Sequence, residues 1–215
     1  MDENKVLTKT FFWMFLGLFI TGIVAVFTYN SELYIKFISD NTFTILLIVE
    51  VVVVLLFSFL FKKLPPTAVA ILYFVYAILN GVTLSTIFLV FDMSSIYLCF
   101  FISAIIFAAM ALWGYKTNVN LSRFAPMMYG FLLASIFLGV INIFLQKSML
   151  DTVLSWVVLA IFFGVTAYDI QKIKQLQYSD TIPENKLHIY GAMEIYLDFI
   201  NIFLRVLSLF GKRKD

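Results

Sequence analysis

Five ionisable residues interrupt the long apolar runs of this sequence, and their types make them the candidates for chemistry. They are Glu50, Asp169, Glu194, Asp198 and Arg205. A charge inside an apolar span is expensive to bury, so such residues usually mark ion paths or proton-carrying sites. Carboxylate oxygens bind protons and hard cations such as calcium. The four acidic residues therefore predict a proton or cation site.

Three of these residues share one helical face with an amide in the last apolar run. The set has the spacing i, i+4, i+7 and i+11 and comprises Glu194, Asp198, Asn201 and Arg205. This spacing forms a single stripe on an α-helix. The positions around the stripe are apolar, so the helix should not turn its polar face to lipid. We predict that it lies inside a helix bundle, with the stripe facing a cavity or other helices.

Asp169, near the end of the sixth apolar run, is the predicted partner of Asp198. The connection between the sixth and seventh runs, residues 171–187, is long enough for the two helices to be antiparallel neighbours. The carboxylates come within reach if the sixth helix continues through residues 171–174. Two carboxylates in a low-dielectric site cannot both ionise cheaply, so they share a proton and titrate as a unit. When ionised, the pair would form a weak oxygen site for calcium.

Each of these residues also has a structural interpretation. Asp169 could lie at the membrane interface and pair with Lys172 at i+3. Glu50 could hydrogen-bond to the polar stripe instead of lining an ion path, and Glu194 could lie near a helix end. Arg205 could neutralise the acidic stripe from its far end.

Composition identifies the elements that must position these residues. The 215-residue chain is 62% hydrophobic and 13% charged, whereas soluble proteins are about 45–50% apolar and about 25% charged. Its apolar runs are continuous, which favours helices over outer-membrane strands. We predict an all-α integral membrane protein with a single membrane domain over residues 1–215. Seven spans are predicted, at about residues 10–28, 43–61, 67–90, 95–115, 124–145, 153–170 and 188–210.

The rarer residue types exclude several kinds of site. Cys99 is the single cysteine and His188 the single histidine, so neither a disulfide framework nor a metal centre built from Cys or His is available. The basic residues are scattered, which does not indicate nucleic-acid binding. We expect no cofactor, and calcium would be a permeant ion.

Lysine and arginine are distributed unequally between the two sides of the predicted bundle. The N-terminal tail and the second, fourth and sixth connections carry nine, whereas the first, third and fifth carry two. The positive-inside rule therefore predicts a cytoplasmic N-terminus in the cell membrane. The basic tail at residues 212–214 leaves two topologies open, seven spans or six spans with a re-entrant segment. The length of the last run, about 23 residues, favours seven.

Three segments carry a resemblance to a known family. They are residues 168–174 (YDIQKIK), residues 196–203 (YLDFINIF) and, more weakly, residues 80–84 (NGVTL). Essentially the whole chain resembles the bacterial form of the Bax inhibitor family. The resemblance implies pH-sensitive calcium leak channels with seven helices, the last surrounded by the other six. It also implies that Asp169 and Asp198 are the pH sensor and gate, and that Glu50 matches an acidic residue of the second helix.

Two departures from the family pattern concern basic residues. The family often has an arginine near the cytoplasmic end of the second helix that can latch the aspartate pair, and here Lys62 and Lys63 occupy that place. Lysine lacks the bidentate fork of arginine, so a latch through either residue would be looser. Ser208 replaces an arginine that is common ten residues after the last aspartate, and Arg205 lies seven residues after it.

The leading hypothesis is a proton-gated cation path. The aspartate pair is protonated and closed at low pH and ionised at higher pH, and Glu50 and Glu194 help to admit calcium. Its expected partners are the lipid bilayer, calcium and protons. The alternative is a non-conducting regulator that binds a membrane protease or a cell-death protein. Intramembrane aspartyl proteolysis is remote because no Gly-x-Gly-Asp sequence contains Asp198, so we expect no enzymatic activity.

Overall fold

The structure, a computed structural model, describes residues 3–38, 42–179 and 181–214, and this part of the chain is almost entirely helical. The helices in the described ranges are α1 (Glu3–Asn30), α2 (Leu33–Ile38), α3 (Thr42–Leu60), α4 (Pro66–Leu84), α5 (Ile87–Val90), α6 (Met93–Lys116), α7 (Ala125–Leu145), α8 (Ser148–Leu176) and α9 (Glu184–Phe210). A short 3-10 helix, Leu121–Arg123, precedes α7. The predicted all-α class is confirmed.

Six stretches of the described chain are long and apolar enough to cross a membrane. They are Lys5–Asn30, Thr42–Leu60, Pro66–Val90, Met93–Lys116, Ala125–Leu145 and Ser148–Leu176. They coincide with the first six predicted spans, so the integral membrane class is confirmed. Helix α9 is not among them, because its acidic and basic stripe makes it less apolar. The seventh crossing stays a prediction.

Two of the observed spans differ from their predicted bounds for local reasons. The third is divided into α4 and α5 at Ser85 and Thr86. Each hydroxyl donates to the carbonyl oxygen three residues earlier, at 2.6 Å and 2.8 Å respectively, and such local bonds compete with the regular helix. The sixth span continues beyond its apolar run to Leu176. This extension includes residues 171–174, as the predicted aspartate pair requires.

Proline and left-handed residues mark several helix ends. Pro66 and Pro126 lie in the first turns of α4 and α7, where a missing N–H leaves no helical hydrogen bond unmade. Helix α7 is followed by Gln146, a left-handed residue with a φ of 51°. The side chain of Asn142 then accepts a hydrogen bond from the Lys147 amide at 3.1 Å. These signals place the charged connections between the spans.

The helices form two compact units. The first unit comprises Met1–Phe91, Leu176–Tyr196 and Lys214–Asp215, and the second comprises Asp92–Gln175 and Leu197–Arg213. In the first unit, α4 packs against both α1 and α3. Its face carries Val69, Tyr73 and Ala77, all of which are fully buried.

The second unit has an aromatic core and one very close helix approach. The ring of Phe199 on α9 is edge-on to Phe100 and Phe107 of α6, with centroids 5.2 Å and 5.7 Å away. A Cβ atom on Gly114 of α6 would lie 2.2 Å from the carbonyl oxygen of Ala167 on α8. Only glycine allows the two backbones to approach this closely, so Gly114 determines how α8 packs in this unit.

Candidate functional site

Asp169 and Asp198 belong to the same compact unit, and both are buried. Asp169 lies on α8 and Asp198 on α9, and each is 3% exposed. Each takes part in at least one hydrogen bond or electrostatic interaction. Protein atoms therefore cover both side chains. Two buried carboxylates in one unit are the pattern that a proton-sharing pair requires.

A contact between α8 and α9 relates the heights of the two aspartates. Ser155 Oγ lies 3.3 Å from Ser208 Oγ at one end of the second unit. Asp169 lies fourteen positions after Ser155 on α8, and Asp198 lies ten positions before Ser208 on α9. At about 1.5 Å per residue, the aspartates differ by about 6 Å along the helix axes, or roughly one turn. This register is compatible with the predicted pair.

Glu50 lies in the first unit, where its carboxylate is buried between α3 and α4. The residue is 8% exposed. The Thr83 hydroxyl donates to Glu50 Oε1, and the Asn80 amide donates to Oε2 at 3.5 Å. Both donors come from α4, one turn apart, so their direct bonds hold the carboxylate against that helix. A bond from Glu50 to the α9 stripe is not recorded among the described residues.

Asn80 extends this contact into a chain of hydrogen bonds across four helices. Its Oδ1 accepts from the Tyr196 hydroxyl of α9 at 3.1 Å. The Tyr196 hydroxyl is also 2.7 Å from Thr21 Oγ1 of α1, and Thr21 can donate to the Ala77 carbonyl at 2.9 Å. Tyr196 is fully buried, so this part of the hydrogen-bond chain lies in the interior of the first unit. We call this chain, from Glu50 through Asn80 and Tyr196 to Thr21, the Glu50 network.

The other members of the α9 stripe make shorter-range contacts. The Tyr190 hydroxyl donates to Glu194 Oε1, which is one turn further along the same helix. The Asn201 amide donates to a main-chain carbonyl of α9 at 2.8 Å. The Arg205 guanidinium is half-buried and interacts electrostatically with Asp151 of α8. Asp151 is therefore an acidic neighbour of Arg205 that does not belong to the stripe.

A lysine that the sequence analysis did not single out holds the end of α3. Lys186, near the start of α9, is 7% exposed. Its Nζ donates to the main-chain oxygens of Phe61, Lys62 and Leu64 at 3.2 Å, 2.9 Å and 2.9 Å. The side chains of Lys62 and Lys63 are exposed. Among the described residues no ion pair is recorded for either, so their role as a latch stays a prediction.

The residues that sequence reasoning missed have no distinctive sequence signal. Thr21 and Tyr196 are 175 positions apart, and neither type is unusual in an apolar helix. Lys186 binds main-chain oxygens, which every residue has. Within the described chain no group of three or more His, Cys, Asp or Glu side chains could hold a metal ion.

Known proteins are similar to this sequence over nearly its full length. Residues 3–215 match the family described as "Inhibitor of apoptosis-promoting Bax1". Inner membrane protein YbhL of Escherichia coli (strain K12) is 35% identical over 214 residues, which cover 97% of this chain and 92% of the relative. An uncharacterized protein of Borreliella burgdorferi is 31% identical, over 99% of this chain and 94% of the relative.

A third bacterial relative extends the same pattern. Uncharacterized protein RP147 of Rickettsia prowazekii is 34% identical, over 100% of this chain and 93% of the relative. The name of the Escherichia coli relative and the six apolar helices support a multi-pass protein of the cell membrane. Because the family match covers residues 3–215, the chain belongs to the Bax inhibitor family of membrane proteins.

Proposed function

We propose that this protein is a pH-sensitive calcium leak channel of the cell membrane, gated by Asp169 and Asp198. The observation that carries the proposal is that both carboxylates are buried, at 3% exposure each, in one compact unit of a membrane protein. Acidic residues in such a position are costly and usually serve ions or protons. The family resemblance supplies the leak activity.

The proposed cycle follows from the cost of placing two negative charges together. At low pH the pair holds protons, attracts no cation and is closed. At higher pH both carboxylates ionise and become oxygen ligands for calcium, which binds weakly enough to pass. Glu50 and Glu194 lie in the first unit, where both carboxylates accept hydrogen bonds, so their part in the path stays a prediction from the sequence. The aspartates have no catalytic role in this proposal, and calcium is the permeant ion, not a resident cofactor.

We further propose that α9 is a seventh crossing at the centre of the bundle and that the N-terminus is cytoplasmic. Near its start, Lys186 binds the connection after α3. After its end, the Lys214 amide donates to the Val90 carbonyl at the end of α5, at 2.9 Å. Helices α4 and α5 together run from the connection after α3 to Val90. Because α9 contacts that connection near its start and Val90 after its end, these contacts support a full crossing by α9. Its 27 residues span about 40 Å, more than the roughly 30 Å of hydrocarbon.

The test is calcium flux through the purified full-length protein in calcium-loaded liposomes between pH 5 and pH 8. We expect leakage to rise with pH, and Asp169→Asn or Asp198→Asn to flatten this response. Glu184→Gln is the matched control, because Glu184 is a half-exposed carboxylate whose recorded ion pair is with Lys9 at 4.0 Å. The control should keep the wild-type pH profile.

Two outcomes would contradict the proposal in different ways. If both asparagine variants kept the wild-type pH profile, the aspartates would not be the sensor. If the purified wild-type protein passed no calcium at any pH, the non-conducting regulator would replace the channel.

A further inference from the structure

Thr166 of α8 has a hydroxyl for which the fold provides no partner. The residue is fully buried, and no hydrogen-bond partner of its Oγ1 is recorded among the described residues. Other helical hydroxyls donate to the carbonyl four residues earlier: Thr83 at 3.2 Å, Ser103 at 2.7 Å and Ser135 at 2.8 Å. Thr166 does not make this bond to its own helix. A buried hydroxyl without a partner is costly, so it is a candidate ligand where other ligand groups lie near it.

The register of the second unit places Thr166 at nearly the same height as Asp198 and one turn from Asp169. Thr166 is eleven positions from Ser155 along α8, and Asp198 is ten positions from Ser208 along α9. Since Ser155 and Ser208 are in contact, Thr166 and Asp198 lie at the same height to within about 2 Å. Asp169 follows Thr166 at i+3, a spacing that puts two side chains on one helix face.

Three neighbours of Thr166 along α8 are apolar and offer its hydroxyl no side-chain partner. The next residue, Ala167, lies against the backbone of α6 at Gly114. One turn before and one turn after on α8 are Phe162 and Ile170, which are buried and apolar. Among the acidic residues of α8 and α9 in this unit, Asp169 and Asp198 are the two that the register brings to the height of Thr166.

We propose that Thr166 Oγ1 is a neutral oxygen ligand of the cation that Asp169 and Asp198 admit. This inference rests on the proposed function and assigns a third residue to its ion site. Calcium takes six to eight oxygen ligands, and a neutral one adds coordination without adding charge. A hydroxyl beside two carboxylates strengthens calcium binding only moderately, as a permeation site requires.

The test measures calcium binding instead of flux. Purified full-length protein in lipid nanodiscs is titrated with radioactive calcium at pH 8, for the wild type and four variants. Thr166→Val keeps the shape and removes the hydroxyl, whereas Thr166→Ser keeps the hydroxyl. Thr10→Val is the matched control, because Thr10 of α1 is also fully buried with an unpartnered hydroxyl but belongs to the first unit. Asp169→Asn reports on the proposed site itself.

We expect Thr166→Val to weaken apparent calcium affinity about five- to tenfold, Thr166→Ser to stay within about twofold of the wild type and Thr10→Val to have no effect. If Asp169→Asn weakens binding and Thr166→Val does not, the ligand role of Thr166 is overturned while the aspartate site stands. If Thr166→Ser weakens binding as much as Thr166→Val, the side chain acts by packing and the inference is wrong. If the wild type binds no calcium, or Asp169→Asn binds it equally well, the proposed site fails and the inference with it.

Discussion

The cores of the two compact units differ in the groups that join their helices. In the first unit, the Glu50 network joins α1, α3, α4 and α9 by hydrogen bonds between side chains. In the second unit, α6 meets α9 through aromatic rings and meets α8 through direct backbone contact at Gly114. Polar groups therefore connect helices in the first unit, whereas apolar and backbone packing does so at the centre of the second.

This difference indicates where a ligand could bind. A polar group that already bonds to its neighbours would have to break those bonds before it could hold an ion. The Thr21 and Tyr196 hydroxyls of the first unit are in this position. The Thr166 hydroxyl of the second unit has no recorded hydrogen bond to break. Substitutions that remove one kind of contact at a time would test whether the two units really differ in this way.

The largest effect is expected at the backbone contact of the second unit. Gly114→Ala would place a methyl group 2.2 Å from the Ala167 oxygen, which is rigid main chain, so α6 and α8 must separate. We expect the free energy of unfolding to fall by about 3 kcal/mol or more, measured by SDS titration in mixed micelles. Gly130→Ala on α7 is the control, because no atom lies within 4 Å of the added methyl. A Gly114→Ala variant as stable as Gly130→Ala would show that close packing does not hold the second unit.

A smaller effect is expected where Lys186 holds the end of α3 in the first unit. Lys186→Met keeps the length of the side chain but leaves three main-chain oxygens near a helix C-terminus without their cation. We expect a loss of about 2 kcal/mol in the free energy of unfolding. Lys63→Met is the control, since the Lys63 side chain is exposed. Equal stability of the two variants would mean that polar contacts at this end do not stabilise the first unit.

The sequence predicted some of these features because their signal is local. The first six spans were found from apolar runs that end at charged connections, and the burial of Asp198 agrees with a polar stripe turned inward. The apolar run alone does not predict the extension of α8 to Leu176, because Gln171 and Lys172 are polar and end that run.

Other features depend on contacts that residue types do not encode. The Lys186 contact uses carbonyl oxygens, so no side chain in residues 61–64 indicates it. Thr166 is one of several threonines in apolar runs. Only the structure shows that its hydroxyl, unlike that of Thr83, does not bond to its own helix. Sequence could name the charged residues of the site but not the neutral one.

The smallest expected change in the free energy of unfolding comes from replacing threonine by valine. The same substitution can be made in each unit, so it compares the two units directly. Thr21→Val in the first unit removes a hydroxyl that contacts Tyr196 and the Ala77 carbonyl, and we expect a loss of about 1 kcal/mol in the free energy of unfolding. Thr166→Val in the second unit removes a hydroxyl with no recorded partner. Without calcium, its stability should equal or slightly exceed that of the wild type, because no bond is broken and a buried polar group is lost.

Both variants are measured by SDS titration in calcium chelator, with threonine to serine changes at the same positions to separate the methyl group from the hydroxyl. Equal losses at the two positions would mean that Thr166 has a bonding role in the fold itself, and the contrast between the units would disappear. A loss confined to Thr21→Val means that the second unit tolerates a polar group its fold does not use. Such a group is retained at a cost to stability, and the cost is explained when the group serves a ligand instead of the fold.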